Sequence, residues 1–80
     1  MPTALRDGPY RFLFFSADCV EPAHMHVQRD DKLAKIWLHD LSFADTGGFS
    51  PRELARIIAT ARDRKAYLQE RWNEHCKGHG

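Results

Sequence analysis

The stretch His24-Met25-His26-Val27-Gln28-Arg29-Asp30-Asp31-Lys32-Leu33-Ala34-Lys35-Ile36-Trp37 decides how this chain folds. Successive side chains of a strand point to opposite faces, so His24 and His26 share one side while Met25 and Val27 share the other. If Asp30-Asp31 is a two-residue hairpin loop, the register follows. Val27 then faces Ala34 and Met25 faces Ile36, giving one apolar surface, while His26 faces Lys35 and His24 faces Trp37 on the other. A longer loop that includes Lys32 stays open, because Asp-Asp is a poorer turn than Asp-Gly.

Upstream, Asp7-Gly8-Pro9 is a turn signal. It sets residues 1–9 apart as an N-terminal extension, and Tyr10 to Ser16 reads as a mostly buried aromatic strand. Ala17 to Pro22 is the loop before the histidine strand. Downstream, the third strand runs from Leu33 to His39. Leu41 to Gly48 is irregular with room for a short edge strand, closing at Thr46-Gly47-Gly48. Ser50-Pro51-Arg52-Glu53 then combines an N-cap serine, a proline at the first helical position and a capping-box glutamate. Phe49 and Leu54 can staple that helix start. Leu54, Ile57 or Ile58, Ala61, Leu68 and Trp72 recur at helical spacing, interrupted near Arg64-Lys65. Unbroken, such a helix would span roughly 40 Å, against a radius of gyration of about 12 Å for a chain of this size. It either bends near Arg62–Lys65 or projects past the sheet.

The 80 residues form one domain, with residues 10–49 as the sheet region, 50–76 as the helix and 77–80 as a tail. The fold class is α+β: a small antiparallel sheet of three to four strands packed on one long C-terminal helix. The expected core is Phe12, Phe14, Met25, Val27, Ile36, Leu38, Leu54, Ile57 or Ile58, and Ala61. A hydrophobic fraction of 42% fits a packed globule. A net charge of +1 gives no global pull on nucleic acid or membrane. Residues 1–49 are net −2 and residues 50–80 net +3, a mild asymmetry. No run reaches transmembrane length and no signal-peptide pattern opens the chain. The expected compartment is the cytoplasm, where Cys19 and Cys76 would be reduced thiols rather than a bridge.

The pieces Gly8-Pro9-Tyr10-Arg11-Phe12, Glu21-Pro22-Ala23-His24-Met25-His26-Val27, Ala34-Lys35-Ile36-Trp37-Leu38, Gly48-Phe49-Ser50-Pro51-Arg52-Glu53-Leu54 and Trp72-Asn73-Glu74 stand in a telling order. Together they resemble a family of small bacterial proteins, domain-of-unknown-function family 4160, from about Pro2 to Cys76. The resemblance implies no established activity. It implies a neighbouring gene for a partner of family 2442, in pairs that look like toxin–antitoxin or regulatory modules. Ala23 departs from the family's second proline, loosening the entry to the histidine strand. His75 and Cys76 stand where aromatic residues are common.

Several candidate sites follow. His24, His26, Lys35, Trp37 and His39 would present imidazoles, a cation and a flat indole, suited to a base, a phosphate or an acidic partner segment. Leu68 and Trp72 on a projecting helix end would need a partner to cover them, which could be a second copy of the chain. Arg52, Arg56, Arg62, Arg64, Lys65 and Arg71 could touch phosphates, but Asp63, Glu70 and Glu74 interleave, so nucleic acid is weakly supported. No catalytic residue is assigned. The alternative is a small ribonuclease-like toxin with His24 and His26 exchanging protons. Against it, both imidazoles would lie on one side of the scissile phosphate. A metal site needs three or four ligands and His-x-His supplies two. Cys19, His39, His75 or Cys76 could complete it only through tertiary proximity, so a metal-binding protein is the third reading, with no metal ligands assigned and no cofactor expected.

Overall fold

The computed structural model describes residues 3–15 and 19–77, and shows an α+β domain. Pro2, Ser16, Ala17 and the tail beyond Lys77, all named above, lie outside those residues. The strands are β1 (Thr3–Asp7), β2 (Tyr10–Leu13), β3 (His24–Arg29), β4 (Lys32–Trp37) and β5 (Phe43–Asp45). They form one antiparallel sheet in the order β1-β2-β3-β4-β5, followed by helices α1 (Pro51–Asp63) and α2 (Lys65–Lys77). The expected three to four strands are therefore five, and the expected single long helix is two.

The central hairpin has the register that alternation dictates: His24 pairs Trp37, Met25 pairs Ile36, His26 pairs Lys35 and Val27 pairs Ala34. Asp30 takes the positive φ of 55° that the two-residue loop demands. Upstream, Gly8-Pro9 is also a two-residue loop, with Gly8 at φ 57° and Asp7 opposite Tyr10. The extension thus contains an edge strand. Thr-Ala-Leu-Arg-Asp has one β-branched residue, Thr3, and no aromatic, so composition gives little sign of a strand before the turn. Downstream, the Lys35–Asp45 and Ile36–Phe43 pairs make β5 the short far edge.

Ser50 and Glu53 form the reciprocal capping box that starts α1. The helical pattern breaks at Arg64, whose φ of −109° leaves the helical region. Neither proline nor glycine lies there, so the cause is tertiary. A straight helix would carry Leu68 and Trp72 beyond the small sheet, whereas the bend returns both to it, buried. Burying two large apolar side chains is worth about 3–6 kcal/mol, against about 1 kcal/mol for a disturbed helical hydrogen bond. The bend wins. The radius of gyration is 11.7 Å.

One face of the sheet meets the helices. Phe12, Phe14, Met25, Val27, Ala34, Ile36 and Leu38 pack there with Phe49, Ile57, Ala61, Leu68 and Trp72, while Leu54 and Ile58 are partly buried at the margin. Polar bonds fix the helices in place. Thr60 Oγ1 donates to Asp7 Oδ2 at 2.6 Å, and Tyr67 Oη donates to the Ala4 carbonyl at 3.0 Å, satisfying an acceptor on edge strand β1. Arg29 Nη2 pairs with Glu53 Oε1, tying the hairpin to the start of α1.

Candidate functional site

Alternation sends His24, His26, Lys35 and Trp37 to the sheet face opposite that core, and the imidazole centroids lie 5.2 Å apart, edge to face. The face is not open at this end. His24 is 0% exposed. Its ring lies 5.6 Å from that of Trp37 and 5.0 Å from that of Trp72, and its Nδ1–H donates to the Pro22 carbonyl at 2.9 Å. A carbonyl can only accept, so that bond fixes which nitrogen carries the proton. His26 sits edge-on to Phe15 at 4.5 Å, and Leu13, its cross-strand neighbour, is fully buried.

Lys35 is half-buried, with Nζ 4.6 Å from the centroid of Trp37 and 2.6 Å from Glu21 Oε1. Glu21 belongs to the loop between β2 and β3, so that loop reaches over the face. The last turn of α2 closes the same corner. His75 stacks on Phe14 at 4.4 Å and its Nε2–H donates to the Phe15 carbonyl at 3.2 Å. Cys76 completes the closure by a disulfide to Cys19, with Cα atoms 5.5 Å apart across 57 positions of sequence.

Three expectations need correction. Cys19 and Cys76 are bridged rather than free, because the bend of α2 brings its end to the β2–β3 loop. Leu68 and Trp72 are core residues rather than an uncovered helix end, which removes the motive for self-association through a projecting helix. His24 contributes packing rather than an accessible imidazole. His39 stays apart: it is exposed in the turn after β4, with Nε2 3.5 Å from Asp40 Oδ2. Among the described residues, no group of three or more His, Cys, Asp and Glu side chains could hold a metal.

Two carboxylates have shifted titrations. The Ser50 backbone N–H bonded to Glu53, followed by the charge of Arg29, holds that carboxyl below its ordinary range. The Ser42 hydroxyl and backbone N–H do the same for Asp40. Both are structural: one caps a helix, the other closes a turn.

The other end of this face went unread in the sequence. Arg6 of β1 pairs directly with Arg11 of β2, Arg11 with Gln28 of β3, and Gln28 with Leu33 of β4. Arg6 and Leu33 are exposed, and Arg11 and Gln28 half-buried. Among the described residues, neither arginine has an acidic partner, and Nε of Arg11 is buried without a hydrogen-bond acceptor. The signal was available: reading Asp7-Gly8-Pro9-Tyr10 as a hairpin loop sets Arg6 opposite Arg11.

No curated protein and no solved structure matches this sequence. A family does: the one described as Domain of unknown function (DUF4160) matches residues 10–73, from the aromatic strand through the histidine hairpin to the last turns of α2. The chain belongs to that family.

Proposed function

We propose that this protein is a non-enzymatic binding component of a two-gene bacterial toxin–antitoxin or regulatory module, acting on a partner of the family 2442 type encoded nearby. The observation that carries the reading is the burial of His24. A general acid or base must reach the proton it transfers, and this ring is enclosed by Trp37, Trp72 and His26. Spending the motif's histidine on packing favours recognition over catalysis. The remaining surface offers exposed side chains on a rigid sheet, which suits binding.

Co-expression with the neighbouring gene product, followed by size-exclusion chromatography, tests the reading. A stable co-eluting complex is the expected result. Separate elution of the two proteins at micromolar concentration would overturn it.

A further inference from the structure

Two arginines directly opposite on neighbouring antiparallel strands have Cβ atoms about 4.5–5.5 Å apart, and like charges so placed destabilise the pair. Nothing described offsets the Arg6–Arg11 pair, and half-buried Arg11 leaves a buried N–H without an acceptor. Folding alone would be better served by an acid or an amide at either position. Such a locally costly arrangement is the kind retained at functional sites.

We propose that this end of the sheet face docks an acidic segment of a partner protein. Arg6 and Arg11 would bind its carboxylates, and Leu33 would take an aliphatic side chain beyond them. The inference rests on the binding reading above and names the surface and its chemistry. Guanidinium forks match carboxylate geometry in bidentate fashion. Two unpaired arginines are too few for nucleic acid, where a protein commonly makes about 6–10 phosphate contacts. Exposed Leu33 also favours a peptide over a phosphate backbone.

The sheet sets the spacing. Leu33 lies two strands from Arg11 and three from Arg6, or about 10–14 Å at the inter-strand separation. An extended segment crossing the strands rises about 3.3 Å per residue, so acid and aliphatic residue should stand about three or four positions apart.

The probe is a labelled synthetic peptide carrying paired glutamates and a leucine at that spacing, with its lysine counterpart and a single-stranded RNA oligonucleotide as competitors. Binding should move the amide resonances of Arg6, Arg11, Gln28 and Leu33. Arg6→Glu should weaken it by about tenfold or more, the loss of one charge-assisted hydrogen bond. The melting temperature should hold or rise, because reversal turns repulsion into a cross-strand ion pair. Arg11→Gln is the second variant, testing the half-buried position without reversing its charge. Resonance changes confined to other faces, indifference to Arg6→Glu, or preference for the RNA would each overturn the proposal. If a complex with the neighbouring gene product forms and tolerates both substitutions, the docking face is wrong while the binding reading stands. If no complex forms, the binding reading falls and the peptide titration decides this face alone.

Discussion

Opening the Cys19–Cys76 bridge should remove a large part of the stability of this domain. The bond joins residues 57 apart and so closes a loop containing most of the sheet and both helices. In the chain-entropy account, a cross-link over a loop of this length removes about 14 cal/mol/K from the denatured ensemble, or about 4 kcal/mol at 25 °C. A domain of this size has a total stability of about 4–12 kcal/mol at the usual per-residue values. Removing the bridge is therefore comparable with the whole margin at the low end of that range.

The assay is urea denaturation of the protein with and without a dithiol reductant, beside the Cys19→Ser/Cys76→Ser double variant. Thiol titration of the denatured chain should find no free thiol before reduction and both afterwards. With a urea slope of about 1 kcal/mol/M for so small a domain, the midpoint should fall by about 3 M or more. The midpoint rather than the slope is the readout, because the cross-linked denatured state is itself more compact. Reduced protein and double variant should agree, since both lack the same constraint. If reduction moves the midpoint by less than about 0.5 M, the entropy argument fails. Two free thiols before reduction would mean that the sulfurs are not joined in solution.

Three further outcomes follow from contacts already described. His24→Ala should cost about 2–4 kcal/mol, because it leaves a cavity among Trp37, Trp72 and His26 and strips the Pro22 carbonyl of its donor; thermal melting measures it, and a loss under about 1 kcal/mol would contradict the burial. Gly47→Ala should destabilise by about 2 kcal/mol or more, since Gly47 has φ 65° and an added Cβ would strike the Leu33 carbonyl and stand 2.8 Å from Ala34 N; a soluble variant of unchanged melting temperature would refute that. Glu53 has a folded-state pKa below its unfolded one, so its contribution is present above the ordinary glutamate range near pH ~4.3 and is lost as pH falls through the depressed value. Glu53→Gln should accordingly flatten the acid limb of a stability-against-pH curve, and an unchanged limb would assign acid sensitivity elsewhere.

What could be read from residues alone was whatever depended on local periodicity. The β3–β4 register was legible because one choice of loop sorted Met25, Val27, Ala34 and Ile36 from His24, His26, Lys35 and Trp37 at a stroke. The capping box of Ser50 and Glu53 was legible for the same reason, four adjacent residues carrying a reciprocal bond pattern. A bend near Arg62–Lys65 could be set against a projecting helix, but only the size of the sheet decides between them. The bridge had no local signal, since nothing in the spacing of Cys19 and Cys76 says that the end of α2 returns to the β2–β3 loop. β1 was missed through composition: Ala4 and Asp7 are poor strand residues, yet the Gly8-Pro9 loop pairs them with an aromatic strand that supplies the packing.

The distinction between orientation and accessibility explains why the histidines were placed correctly and still misjudged. Pleating fixes which side of the sheet a residue occupies, and it put both imidazoles on one side as alternation requires. Whether that side meets water depends on segments that pleating does not place: the loop that carries Glu21 just before β3, and, far away in sequence, Trp72, His75 and Cys76 at the end of α2. The same sheet face is thereby divided. At the end where β3 begins, the rings of Trp37 and Trp72 lie against His24 and that of Phe15 against His26. Toward the Asp30-Asp31 loop, Arg6, Arg11, Gln28 and Leu33 share this face, and neither arginine has an acidic partner among the described residues. Under the proposed docking, a partner would meet the arginines first, because at the other end of the face His24 is fully buried and His26 half-buried.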